Sequence, residues 1–299
     1  MESFYNIMQN NYLNIKEKRR VALVSVFAAV FMTASKFFIG VLTGSLGILS
    51  EALHSCLDLI AAIITFFSVS ISDRPADGDH HYGHGKIENF SALIETILLL
   101  VTCVWIIYEA VHRLYSGKVL IQVTSWSYIV VVASIIIDYS RSTALMKTAK
   151  KHNSQALEAD ALHFSTDIWS SSVVLLGLIF ANFGWYYADA IAALFVAVIV
   201  IYVAFKLGKR SIDVLLDKAP GIMIGDIEKT VLDVHGITSV HDIRIRNSGA
   251  DIFVELSIHV DPHATLGEVH EMADEVERRI CGEIPRCTVH IHQEPEEQK

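Results

Sequence analysis

The stretch SLGILSEALHSCLDLIAAIITFFSV, residues 45–69, decides the fold. It is long and apolar enough to cross a bilayer, whose hydrocarbon takes about 20 residues of helix. Yet it carries His54 and Asp58 near its middle, and an ionisable group at that depth is costly unless paired, hydrated or liganded. Residues four apart on a helix share a face, so the two side chains point the same way. DALHFSTD, residues 160–167, repeats the arrangement in a second apolar run, and both read acidic-Ala-Leu-His-x-x-x-Asp.

The rest of the chain fits a polytopic α-helical membrane protein with a soluble tail. Hydrophobic residues make up 52% of the 299, the mean hydropathy is +0.42, and the apolar residues fall in long blocks. Six transmembrane helices are predicted, at 21–43, 46–71, 90–112, 122–146, 157–181 and 186–206. SRSTALMKTAKKHNSQALEAD (140–160) blurs the ends of the fourth and fifth, and glycine-bearing breaks (TGSLG, YSGK, ANFGW) separate the other pairs. KEKRR, Arg74, Lys86, the Arg141–Lys151 stretch and KLGKR fall on one side, which the positive-inside rule makes the cytoplasm. Both termini are then cytoplasmic, in a plasma (inner) membrane. The polar residues 1–20, with no cleavage site, read as a cytoplasmic segment ahead of a first span that is itself the insertion signal. The four cysteines form no C-x-x-C pair and suggest no disulfide framework.

The predicted domains are the N-terminal segment 1–20, a transmembrane domain 21–208 and a cytoplasmic domain 209–299. From Arg210 onward there are nine basic and eighteen acidic residues, so the tail carries the whole net charge of −9. That excludes nucleic acid as a partner and suits cations. Within it, GDIEKTVLDV and TLGEVHEMADEVERRI have helical periodicity, whereas VHDIRIR, DIFVELSIHV and CTVHIHQ alternate like strands. The order αββαβ predicts a small α+β domain with both helices on one face of a three-stranded sheet.

Together His54, Asp58, His163 and Asp167 supply two imidazole nitrogens and two carboxylate oxygens. That is a tetrahedral set suited to Zn²⁺, with two carboxylates to cancel its charge, and protons can take the ion's place. A polar network between helices is the ordinary use of one histidine, but two matched pairs point to metal. A catalytic zinc is a poor fit, since there is no H-E-x-x-H and four protein ligands leave no open position, so no enzyme is expected. The pairs lie on spans two and five, which cross in opposite directions as an inverted three-plus-three repeat would. Leu162, just before the second histidine, is expected to act as an apolar gate.

Two further clusters have ligand chemistry. DRPADGDHHYGHGKIE after the second span places Asp77, Asp79, His80, His81 and His84 on a short loop. Seven of the fourteen histidines lie in the tail: His235, His241, His259, His263, His270, His290 and His292. His290, His292 and Glu294 share one strand parity, opposite Val289 and Ile291. His259 takes the polar parity of its strand, while His241 shares that of Ile243 and Ile245 but stands at a strand start. His235 and His263 read as ordinary loop or helix-end residues.

These residues resemble the cation diffusion facilitator family of divalent-metal/proton antiporters. The resemblance rests on S-x6-A-L-H-x3-D in the second span, R-P-A-D-x2-H-x-Y-G-H-G-K in the loop, A-L-H-x3-D in the fifth span and the ending HIHQEP, and covers nearly all the chain after residue 20. It implies six membrane helices, a metallochaperone-like (ferredoxin-like) cytoplasmic domain and a homodimer. It implies a transport site of His54, Asp58, His163 and Asp167 and a loop site of Asp77, His80 and His84. A cytoplasmic site would draw on His241, His270, His292 and Glu294. A histidine used by some relatives in the middle strand falls here at Ser257, with His259 as its expected substitute. Lys86 and Asp217 match a charge pair that ties the dimer. Because manganese and iron members tend to carry Asp at its position, His54 implies zinc, with cadmium, cobalt or iron as further substrates. The expected function is Zn²⁺ export in exchange for protons, with zinc also a regulatory ligand of the tail. A metal-gated channel and a membrane metal sensor without transport are the alternatives.

Overall fold

A computed structural model describes residues 2–43, 46–116, 125–181, 188–219 and 223–296. The breaks expected at 43–47, 115–118 and 181–185 lie wholly or partly outside them. By contact the chain divides into two compact units, Met1–Arg74 with Ile87–Ser211, and Pro75–Lys86 with Ile212–Lys299.

The first unit is built from α1 (Glu2–Thr43), α2 (Leu46–Ser72), α3 (Lys86–Ser116), α4 (Ser125–His152), α5 (Gln155–Ala181) and α6 (Ala188–Leu215). α1 packs along α2 and α4 along α5, and α1–α4 and α2–α5 contacts join the pairs. The polar stretch before residue 21 is helical and continuous with the first span. Four helices among the described residues contain stretches long and apolar enough to cross a membrane: Ile15–Leu42, Ala52–Ser72, Lys86–His112 and Ile191–Leu215. In α4 and α5 the charged side chains turn inward: Arg141, Asp160 and Asp167 are buried. The interior is rich in small residues, among them Ala22, Ala29, Ala61, Ala62, Ala92, Ala159, Ala161 and Ala204, while Phe27, Phe31, Trp105, Phe195 and Phe205 point out. Apolar bulk outside and small or polar groups inside is the distribution expected of helices packed in lipid.

The blurred stretch between spans four and five resolves into two helices with a two-residue link. Asn153 takes a left-handed φ of 50°, the usual way to stop a helix. Ser154 then caps α5, its Oγ accepting from Leu157 N at 3.4 Å.

In the second unit the order is α7 (Met223–Leu232), β1 (Ile237–Ser248), β2 (Asp251–Val260), α8 (Leu266–Glu283) and β3 (Cys287–Pro295). The sheet order is β1-β2-β3, with β1 antiparallel and β3 parallel to β2. α8 makes the crossover a parallel pair requires. Thr265 and Glu268 cap it reciprocally. Ile227 and Val231 of α7 and Val269, Val276 and Ile280 of α8 share one core with Val254, Leu256 and Ile258 of β2. Both helices therefore cover the same sheet face and leave the other for polar side chains.

Candidate metal centres

The α2–α5 contact brings the two His-x-x-x-Asp pairs together. His163 Nε2 lies 3.1 Å from Asp58 Oδ1 and 3.7 Å from Asp167 Oδ2. His54 Nε2 lies 3.8 Å from Asp58 Oδ1 and 3.5 Å from Asp167 Oδ1. Each imidazole thus faces one carboxylate of its own helix and one of the other. His54, Asp58 and Asp167 offer ligand atoms within 4.8 Å of one another. His163 is 2% exposed, whereas the His54 side chain is 35% exposed, so the cluster is reached from the His54 side.

Cations not foreseen from the sequence surround this cluster. Lys36 of α1 is buried, and its Nζ donates to Ser55 Oγ at 2.9 Å, beside His54. Its charge acts on Asp167 and on Asp138 of α4. Arg141 lies 3.5 Å over the Phe164 ring and donates to Ser25 Oγ at 3.0 Å and to Asp138 at 3.5 Å. Farther along, Lys18 is 2% exposed and pairs with Asp73 at 2.6 Å and Glu88 at 3.1 Å. A lone charge in an apolar run was the available signal, but no fixed spacing links these residues to their partners.

On the loop, Asp77 Oδ1 accepts from the backbone N–H groups of Asp79 at 3.0 Å and His80 at 2.7 Å. The His80 backbone bond, then that of Asp79, hold the Asp77 carboxyl below the ordinary carboxylate range. His80 Nδ1 lies 3.2 Å from Asp77 Oδ1, His84 Nε2 lies 3.5 Å from Oδ2, and the two rings are 4.4 Å apart. His81 turns away to Gly78 O at 3.0 Å. This loop docks on the β1–β2 hairpin. Tyr82 meets Phe253 edge-on at 5.2 Å, Arg246 stacks 3.8 Å over Tyr82, and a Cβ at Gly85 would stand 2.2 Å from Ser248 O.

On the free sheet face, His241, His259 and Glu294 form a third group. His259 Nε2 lies 3.2 Å and His241 Nε2 3.5 Å from Glu294 Oε2, and His292 Nε2 lies 3.5 Å from Oε1. Ser239 Oγ engages His259 Nδ1 at 2.8 Å, which turns Nε2 to Glu294. Simple alternation would put His241 with Ile245 in the core. A bulge between His241 and Arg244, with Asp242 at φ 53°, resets the parity. His241 therefore pairs with Ser257 on the polar face, while Ile245 pairs with Val254 in the core.

Other residues named from the sequence lie outside these three groups. His270 lies exposed on α8, 3.8 Å from Asp274, and α8 covers the core face, so the sheet separates it from the third group. His290 is exposed and pairs in register with Glu255 rather than with His259, so it stays outside that group. Leu162 packs on Ala92 of α3 and Leu207 of α6, about 100° around α5 from His163. Lys86 Nζ meets Asp217 Oδ1 at 2.8 Å within the chain.

Residues 22–216 match the family model for the cation efflux transmembrane domain, and 219–296 that for the cation efflux protein cytoplasmic domain. The chain belongs to the cation efflux family. An uncharacterized transporter of Methanocaldococcus jannaschii is 33% identical over 280 residues, covering 93% of this chain and 99% of its own. The cation-efflux pump FieF of Klebsiella pneumoniae is 29% identical over 289 residues, covering 96% of this chain and 95% of its own. Among solved structures, a nickel form of the MamM CTD is 32% identical, covers 24% of this chain and 94% of its own, with a TM-score of 0.23. Membership of the cation efflux family makes the chain a membrane transporter of metal cations.

Proposed function

We propose that this cation efflux protein is a secondary transporter that exports Zn²⁺ from the cytoplasm in exchange for protons, with cadmium, cobalt or iron as further substrates. The observation that carries this reading is the crossed arrangement of the two pairs, each imidazole between two carboxylates. Two carboxylates neutralise a divalent ion, and two imidazole nitrogens favour zinc over harder cations. The same four side chains hold protons when the metal is gone, so proton and metal binding are mutually exclusive. Facing the cytoplasm, deprotonated His54, Asp58, His163 and Asp167 take the ion. Movement of α2 and α5 with their neighbours exposes it to the other side, where protons displace it. Lys36 and Arg141 offset part of the carboxylate charge of the unloaded helices.

Both termini, the transport domain's loop and the domain from 209 onward lie on the cytoplasmic side, and the protein is a homodimer held through that domain. The Asp77–His80–His84 and His241–His259–Glu294 groups, the latter with His292, are zinc sites that report cytosolic metal. Reconstitution in proteoliposomes carrying a pH dye tests the exchange. Zinc uptake accompanied by opposite proton movement is expected; uptake without proton movement would make the protein a channel, and zinc binding without uptake a sensor.

A further inference from the structure

His54 and Asp58 belong to the α1/α2 pair of helices, and His163 and Asp167 to the α4/α5 pair. At the helix ends next to the loop, one buried carboxylate holds both pairs. Glu88, in the first turn of α3, is 4% exposed. Its Oε1 accepts from Lys18 Nζ of α1 at 3.1 Å and from Ser72 Oγ of α2 at 2.9 Å. Its Oε2 accepts from Oγ of Ser154, the cap of α5, at 2.5 Å. Lys18 Nζ also meets Asp73, the residue after α2, at 2.6 Å. Lys18, Ser72 and Ser154 are buried, and the Asp73 side chain is 8% exposed.

Polar bonds fasten α3 to α2: Glu95 accepts from Thr65 Oγ1, and Ser68 Oγ donates to Ile87 O at 3.2 Å. Ser154 is therefore where Glu88 reaches across to the α4/α5 pair. Two further ties cross between the pairs nearby. Glu17 meets Lys151 at 2.5 Å and His152 at 3.1 Å, and Ser25 Oγ accepts from Arg141 at 3.0 Å and donates to Asp160 at 3.4 Å. Between Asp58 and Ser72 lie about 21 Å of helix, so the tie stands well away from the transport cluster. His54, the exposed member of that cluster, lies on the other side of Asp58 from it. Val69 of α2, one turn from Ser72, is 0% exposed in a core shared with Leu145 and Ala149 of α4 and Leu157 of α5.

An ion cluster suits a joint that opens. Packed and dry, its charges must be fully paired; parted and wet, each is solvated by water. Charges that are dry and unpaired are the costly intermediate, so the joint has two arrangements rather than a continuum.

We propose that Lys18, Asp73 and Glu88 form a lock that holds the α1/α2 and α4/α5 pairs together at their cytoplasmic ends. It closes the transport cluster off from the cytoplasm and opens when the cluster turns to that side. Glu88 is the pin, since it grips Ser72 and Ser154 at once. Glu17 with Lys151 lies at the exposed rim, where an ion pair holds little. The lock rests on the transport reading and its sidedness.

The test is cysteine labelling of the full-length protein in inside-out membrane vesicles, with neither zinc nor a pH gradient. The four native cysteines are replaced, and one reporter is added at a time. Val69→Cys lies behind the lock, and Val200→Cys lies in the separate core of α3, α5 and α6. Glu88→Ala and Lys18→Met are each expected to raise labelling of Val69→Cys by a membrane-impermeant maleimide at least about tenfold, as a shift toward the open arrangement. Val200→Cys stays protected. Labelling of Val69→Cys at the same rate with and without the lock residues would overturn the proposal. So would a rise at both reporters, which marks general loss of packing. Absence of zinc–proton exchange in proteoliposomes would count against the transport reading and leave the labelling result standing, whereas unchanged labelling would leave the exchange untouched.

Discussion

His163 of α5 lies 3.1 Å from Asp58 of α2, across 105 residues of chain. Since His54 reaches Asp167 in the opposite sense at 3.5 Å, neither helix holds the cluster alone. On the proposed function, a metal bound there would join α2 to α5 and couple loading to their movement.

On the proposed function, His54 is the ligand that selects the metal. His54→Asp would give three carboxylates and one imidazole, a harder and more negative set. The preference for Zn²⁺ over Mn²⁺ is expected to fall by about tenfold or more, measured by metal competition on purified protein. An unchanged ratio would move selectivity elsewhere.

On the sheet, His241→Ala or His259→Ala is expected to weaken zinc binding by at least ~10-fold, since losing even a supporting partner of a ligand costs that much. His270→Ala and His290→Ala should leave it unchanged. Zinc titration in an Asp58→Ala/Asp167→Ala background isolates these sites. A loss with His270→Ala equal to that with His241→Ala would contradict the grouping on the free face.

The two His–Asp pairs that meet between α2 and α5 were legible in the sequence because their spacing is a property of one helix. Four residues apart means one face, and a histidine with an aspartate in an apolar run has few other uses. The αββαβ tail was legible from its alternation and helical periodicity. His241 was not, because its parity depends on the left-handed Asp242, and nothing in VHDIRIR marks where a bulge falls. Helical periodicity placed His270 on α8 but could not say which sheet face α8 covers. Lys36, Arg141, Glu95 and Asp160 look like isolated charges until packing supplies their neighbours.

Gly85 lets the loop approach the hairpin. In Gly85→Ala the new Cβ would stand 2.2 Å from Ser248 O, a backbone atom that cannot swing aside. Hydrogen exchange across residues 80–86 is expected to rise at least ~10-fold, equivalent to about 1.4 kcal/mol. Exchange at the wild-type rate would show that the loop does not depend on this contact.

Asp77 should titrate below its ordinary value of 3.8. A lowered carboxyl stabilises the folded loop above the unfolded value, and the contribution is lost only as pH falls through the lower folded one. Loop order should therefore persist at about pH 5, where a free carboxylate is already mostly ionised. A carboxyl-carbon titration by NMR checks this; a midpoint at or above 3.8 would contradict the two backbone bonds that hold the group.

The most direct measurement is zinc-dependent proton flux in proteoliposomes, comparing wild type with Asp58→Ala and Asp167→Ala. Each substitution removes one of the two carboxylates that neutralise the ion. The expected result is robust flux in the wild type and none above background in either variant, with both variants still binding zinc at the sheet and loop sites. Flux that survives both substitutions would contradict the assignment of the transport site.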